Sequence, residues 1–222
     1  MDIISEEVKD MSRIVNEAKN KNPLIVGIRE QLEHRALWMY LLCDEAEKHG
    51  LKAEEFAPDA IKRCGLYQGR NLVEKGGMGQ SLKGLKKALF GYFAQQVFEM
   101  DILRVDDDHL DIDFHYCPLV KAWQKQGCSD EQIAVMCDHA MCGDRGIGEC
   151  FGVELDLPGT IAKGDPTCQL RYVRREAPEK NHEAPSDKNE TARNIIRGGI
   201  GLLTAGTTFA LSILSARRRN KL

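Results

Sequence analysis

"DILRVDDDHLDIDFHYCP", Asp101–Pro118, is where the periodicity of the chain changes and where its fold class is decided. Apolar and polar residues alternate on both sides of Asp106, Asp107 and Asp108, so the stretch predicts two short strands joined as an antiparallel hairpin. In the second strand His109, Asp111, Asp113 and His115 fall on one face, and Leu110, Ile112, Phe114 and Tyr116 on the other. Pro118 then opens a helix at its first position, where a missing N–H costs nothing, and Gly127 closes it. That places Cys117 at the N-cap, a position usually held by serine, threonine, aspartate or asparagine.

Upstream the spacing is helical. Val8, Met11, Ile14, Val15 and Ala18 predict a first helix from Ser5 to about Lys19, with Ser5 as cap. Asn22 and Pro23 start a longer one whose apolar residues Ile25, Ile28, Leu32, Ala36, Met39, Cys43 and Ala46 keep steps of three and four up to Gly50. A short third helix is expected from Phe56 to about Gly65, and a fourth carries Leu82, Leu85, Leu89, Phe93 and Val97. Between them "EKGGMGQ" is a turn without the lysine and hydroxyl pattern of a phosphate loop. Downstream, Ser129 and Gln132 form a capping box that opens a helix through about Met141, with Gly143 as its expected end. "GVELDLP" and "TCQLRYV" read as a further strand pair. The predicted class is α+β: N-terminal helices packed with a small antiparallel sheet, plus a C-terminal hydrophobic helix.

Domain organisation follows from composition. The 222 residues are 42% hydrophobic and 29% charged, enough for one core, taken as residues 1–176. Residues 177–191, overlapping "EAPEKNHEAPSDKNE" (Glu176–Glu190), lack large apolar side chains and read as a disordered polar linker. Residues 192–222 contain an uncharged run from Gly198 to Ala216 followed by "RRRNKL". Its length approaches what a bilayer needs, and Gly201, Ala205, Ser212 and Ala216 line one face, so a membrane-anchoring helix with a basic end is expected. A surface helix or one docked on the domain is the alternative, and a homo-oligomer is left open.

A formal net charge of −3 argues against nucleic acid as a partner, which leaves a small-molecule substrate and the membrane. Eight cysteines occur, yet "MDIISEEVKD" opens acidic where a signal peptide would be basic and then apolar. Reduced thiols in a cytoplasmic domain attached to the cell membrane are therefore expected. Cys117, Cys128, Cys137, Cys142, Cys150 and Cys168 all lie in one quarter of the chain.

Several of these residues are suited to chemistry. At a helix N-terminus the free amides and the dipole favour a negative sulfur, so Cys117 is expected to ionise more readily than a free thiol; a buried small cap is the plainer reading. His115, nearest along the chain, is a candidate base. "MCDHAMCGDRG", Met136–Gly146, brings Cys137, Asp138, His139, Cys142, Asp144 and Arg145 to a helix end, where Asp144 and Arg145 are expected to turn into a cleft. Cys137, Asp138 and Cys142 are the candidate ligands of a divalent metal, the one cofactor the residues suggest, although their spacing matches no standard pattern. Arg35 on the long helix is placed to pair with a substrate carboxylate.

Taken together, "HYCPL", "CDHAMCGDRG", "LPGTIAKGDPTCQLRYV" and "EHRALWMYLLCDEAEKHG" resemble the L-2-amino-thiazoline-4-carboxylic acid hydrolase family over about residues 25–175. The resemblance implies a hydrolase that opens a small cyclic amidine at a C–N or C–S bond. Assigned by residue type, Cys117 is then the nucleophile, His115 or His139 the acid/base, and Asp144 an orienting or water-activating carboxylate. Arg145, Arg35 and Cys168 contact the substrate. The alternative is a non-catalytic or redox protein of the same fold that binds a metal or small ligand through its thiols.

Overall fold

The computed structural model describes residues 12–75 and 79–174. In chain order the elements are α1 (Pro23–Lys48), a 3-10 turn at Ala53–Glu55, α2 (Ala57–Lys75), α3 (Leu82–Leu89), α4 (Tyr92–Phe98), β1 (Met100–Val105) and β2 (His109–Phe114). They continue with α5 (Pro118–Lys125), α6 (Asp130–Cys150), β3 (Glu154–Asp156), a second 3-10 turn at Ile161–Lys163 and β4 (Cys168–Val173). The protein is α+β, with one four-stranded antiparallel sheet in the order β1-β2-β4-β3.

The start signals act as their chemistry dictates. Asn22 Oδ1 accepts the Leu24 N–H, with Pro23 at the first position of α1. The Ser129 and Gln132 side chains and backbones exchange the two hydrogen bonds of a capping box at the start of α6. Alternation along the strands buries Leu110 and Ile112 of β2 and Cys168, Leu170 and Tyr172 of β4. On the opposite face Arg171 of β4 pairs with Asp113 of β2 at 2.7 Å, so an ion pair ties these two strands on the polar side. Trp123 of α5 is fully buried, and its Nε1 donates to the Ala36 carbonyl of α1 at 3.2 Å.

Four expected boundaries change. Residues 12–20 are extended, not helical: Ile14 and Asn16 are 6% and 2% exposed while Val15 between them is 76% exposed, a period of two. The helix predicted to stop at Gly65 runs on to Lys75, because Gly65 is a contact point with α6. The segment Leu82–Val97 breaks at Phe90, whose ring turns into the core within 6.2 Å of Phe114 and 6.0 Å of Tyr172. α6 does not end at Gly143 but continues to Cys150, 21 residues in all.

The second and fourth corrections share a cause. A Cβ on Gly65 would lie 2.0 Å from the Gly143 carbonyl oxygen, and one on Gly146 would lie 2.7 Å from the Lys62 carbonyl oxygen. Both glycines let two helix backbones touch, and the packing more than offsets their poor helix propensity of about 1 kcal/mol each. The expected linker and hydrophobic tail, residues 177–222, lie outside the described residues. Among the described residues no helix is long and apolar enough to cross a membrane.

Candidate functional site

The end of β2, the N-terminus of α5, the middle of α6 and the start of β4 meet around Cys117. Cys117 holds the N-cap in an extended conformation, φ −130° and ψ 113°, directly before Pro118. Cys168 is close at hand because it pairs in register with Phe114, three residues before Cys117. Cys137 and Asp144 are seven residues apart on α6, which sets them on one helix face two turns apart. Gly148, one turn further on, meets the ring of Tyr172: a Cβ there would lie 3.4 Å from its Cε1. The α6 face that carries Asp144 therefore packs against β4.

Electrostatics tie these groups together. Burial pushes the Cys117 thiol up; the amides of Val120 and Leu119 face the sulfur and favour the thiolate, Asp144 opposes it, and Arg35 favours it. The helix N-terminus works on the sulfur as the sequence predicts, but desolvation outweighs it. The expectation of an easily ionised thiol is corrected accordingly: the shift is upward, not downward. Burial likewise raises Cys137 to about 12, with Cys117, Asp138 and Asp144 adding to the shift and Lys163 opposing it. Cys168 is raised well above its ordinary value by burial and by Cys117, against the Ile161 N–H, which donates to its sulfur at 3.3 Å.

Asp144 stands apart. Burial raises its carboxyl to about 6, with Arg35 and Arg145 pulling the other way. It thus titrates near neutrality, where a general acid or base works best. Asp144 and Arg145 reach this position from a continuous helix, not from a turn after Gly143. Arg35 and Arg145 are both exposed, and neither forms an ion pair among the described residues.

Other predicted residues go elsewhere. His115 turns to Asp101, with Nε2 2.8 Å from a carboxylate oxygen, in an open cleft of about 460 Å³ also lined by Lys19, Asn20 and Glu99. It is not among the groups that act on Cys117. His139 is buried about 200° round α6 from Cys137, one turn before Gly143, which faces α2; its Nδ1 has no hydrogen-bond partner among the described residues. The metal candidates do not converge: Asp138 pairs with Lys163 at 3.1 Å, and the Cys142 thiol points to the Asp138 carbonyl. Among the described residues no three histidine, cysteine, aspartate or glutamate side chains are grouped to hold a metal.

Three residues enter that sequence reading passed over. Tyr172 and Thr160 are buried, and their hydroxyls lack a partner among the described residues; Tyr172 is further influenced by Asp144. Both hydroxyls lie beside this cluster, Tyr172 on β4 next to Arg171 and Thr160 before Ile161, whose amide meets Cys168. Asn16 holds the backbone of Cys117. A period-two strand and a hydroxyl in a turn give no sign of this, since their neighbours come from distant parts of the chain.

The family model described as L-2-amino-thiazoline-4-carboxylic acid hydrolase matches residues 29–172, a span that contains Arg35, Cys117, Cys137, Asp144, Cys168 and Tyr172. The chain belongs to this family. No curated protein and no solved structure matches it. Membership in the L-2-amino-thiazoline-4-carboxylic acid hydrolase family indicates hydrolase-like chemistry, and the arrangement of thiol, carboxylate and free guanidinium groups is compatible with it.

Proposed function

We propose that the protein is a hydrolase that opens a small cyclic amidine carrying a carboxylate, 2-amino-thiazoline-4-carboxylate or a close relative, with Cys117 as nucleophile. The observation that supports this reading is Asp144: a carboxyl titrating at about 6 acts on a thiol at a helix N-terminus and on Arg35. The charges complement such a substrate. Its amidinium meets Asp144, and its carboxylate meets Arg35 and Arg145.

The thiol proton passes to Asp144 as the sulfur attacks the ring carbon between the heteroatoms, and the amides of Leu119 and Val120 steady the sulfur's charge. The tetrahedral centre collapses with cleavage of one ring bond, and Asp144 returns its proton to the departing sulfur or nitrogen. Water then attacks the thio-adduct, releases the product and restores the thiol. The test is turnover of synthetic 2-amino-thiazoline-4-carboxylate, followed by loss of the ring in mass spectrometry. Cys117→Ala should lower kcat at least about 1,000-fold; unchanged turnover in that variant overturns the mechanism.

A second reading, a carrier that binds a small ligand without turning it over, draws on Cys117, Cys137 and Cys168 acting on one another. Saturable binding of the thiazoline with no ring loss over hours would favour it. We also propose that residues 198–216 anchor a cytoplasmic domain to the cell membrane, as their uncharged length suggests. Recovery of the full-length protein in the soluble fraction after detergent-free lysis would refute the anchor.

A further inference from the structure

We propose that Asn16 is a positioning residue for Cys117, clamping its peptide units so that the sulfur stays against the helix amides. The inference takes the role of the thiol from the reading above but adds a residue outside the matched span. The Asn16 side chain meets the Cys117 backbone at both ends: Oδ1 accepts the Cys117 N–H at 2.9 Å, and Nδ2 donates to the Cys117 carbonyl at 2.8 Å. The two residues are 101 positions apart, and Asn16 is 2% exposed. A side-chain amide bonded twice to one residue reproduces the pairing of a β-ladder. It fixes both φ and ψ of the one non-helical residue on which the thiol's direction depends.

The segment that carries Asn16 is itself held at several points. Ser12 Oγ and the Arg13 N–H donate to the Asp130 carboxylate at 2.7 and 2.8 Å. The Ile14 carbonyl accepts from Gln124 at 3.1 Å, and Glu17 pairs with Lys121 at 3.1 Å. At the far end the Lys19 and Asn20 amides both donate to Glu99 Oε1 at 2.7 Å. The strap thus runs along α5 with Asn16 seated over its first turn. Cys117 also gives its carbonyl to the Lys121 N–H at 3.1 Å, so the clamp and the first helical hydrogen bond converge on one oxygen.

Asn16 does not touch the sulfur; it acts through backbone geometry. The amides of Leu119 and Val120 favour the thiolate only while Cys117 keeps its extended conformation. Releasing the clamp leaves the burial imposed by α6 and β4 in place and weakens the largest influence that offsets it, the helix amides. The Cys117 thiol then ionises less readily and points less accurately.

The test uses the full chain and two readouts. Iodoacetamide alkylation of the Cys117 peptide is followed against pH by mass spectrometry, with exposed Cys64 as internal control. In Asn16→Ala the Cys117 midpoint should move up by at least half a pH unit, about a threefold slower reaction at a fixed pH below it, while Cys64 is unchanged. With 2-amino-thiazoline-4-carboxylate, kcat should fall about 10- to 100-fold with KM within about twofold. Asn16→Asp serves if the alanine variant is poorly folded. Its neutral acid can donate and accept as the amide does, so Cys117 reactivity relative to Cys64 should match wild type at low pH and fall behind as the new carboxyl ionises. An unmoved Cys117 midpoint in a folded variant, or one that moves together with Cys64, overturns the proposal. The alkylation result decides it even if the thiazoline proves not to be a substrate, and an unmoved midpoint with active wild type leaves the hydrolase reading standing.

Discussion

Replacing Gly65 with alanine would put a methyl carbon 2.0 Å from the carbonyl oxygen of Gly143, 2.8 Å from its carbonyl carbon and 2.9 Å from its Cα. Ordinary contact is about 3.5 to 4.0 Å, and every atom met is backbone, so no side chain can swing aside. α2 and α6 must part by roughly 1.5 Å at this point, which also loosens Gly69 against Cys150 and Gly146 against Lys62 and Leu66. Overpacking of this kind costs about 1–3 kcal/mol, and more where helices separate, against about 1 kcal/mol gained in helix propensity. Because backbone meets backbone the cost lies at or above the top of that range, so we expect a net loss of at least about 2 kcal/mol, a large part of a typical stability of about 5–15. Gly27 in α1 is the control, because a Cβ there meets nothing within 4 Å among the described residues. Gly27→Ala should gain about 0.5–1 kcal/mol. Urea unfolding followed by circular dichroism measures both, and the midpoint should fall by about 1–2 M for Gly65→Ala and rise slightly for Gly27→Ala. A Gly65→Ala midpoint at or above wild type would refute the close crossing.

Asp144 gives a pH prediction with two signs: kcat/KM should rise through about pH 6 as the base ionises, whereas fold stability should fall over the same window. The folded carboxyl holds its proton above the pH at which the unfolded one loses it, so the stabilisation is complete below about pH 4 and lost as pH passes 6. Asp144→Asn should accordingly lose turnover yet be more stable at pH 7.5 by about 1–3 kcal/mol, as thermal melts at several pH values would show. Arg29, buried with its guanidinium on the Val97, Asn20 and Gln96 carbonyls and on Glu99, should cost about 3–5 kcal/mol when replaced by methionine, measured by urea unfolding. Tyr172→Phe removes a buried unpaired hydroxyl, so it should melt at or slightly above the wild-type temperature while KM for the thiazoline rises.

What was legible in the sequence was local. The caps at Asn22 and Ser129, the turn at Gly127 with φ +75°, the hairpin and the N-cap of Cys117 are all written within a few residues of where they act. Glycine's poor helix propensity predicts helix ends at Gly65 and Gly143, yet the α2–α6 crossing that retains each depends on a partner about 80 residues away along the chain. The strap misled for a related reason. Val8, Met11, Ile14, Val15 and Ala18 have helical spacing, but within the described part Ile14 and Asn16 are buried on one side of an extended chain. Its partners on α5 and at Glu99 could not be inferred from spacing. At the site, residue type alone nominated His115; only the fold showed that Asp101 holds it and that Asp144 arrives from an uninterrupted helix.

The charges at Cys117 also constrain what a substrate must bring. Burial holds the Cys117 thiol above its ordinary range while Asp144 titrates at about 6, so moving the proton from sulfur to carboxylate before substrate binds is uphill. The helix amides and Arg35 do not close that gap, because burial outweighs them. Attack on an amidinium carbon quenches the sulfur's charge as the proton leaves, so forming the bond to a cationic carbon offsets the uphill transfer. On the proposed chemistry the substrate activates its own nucleophile. A neutral ring of the same shape should therefore occupy the site, compete with the thiazoline and remain intact, whereas a thiol activated by the helix alone would open both.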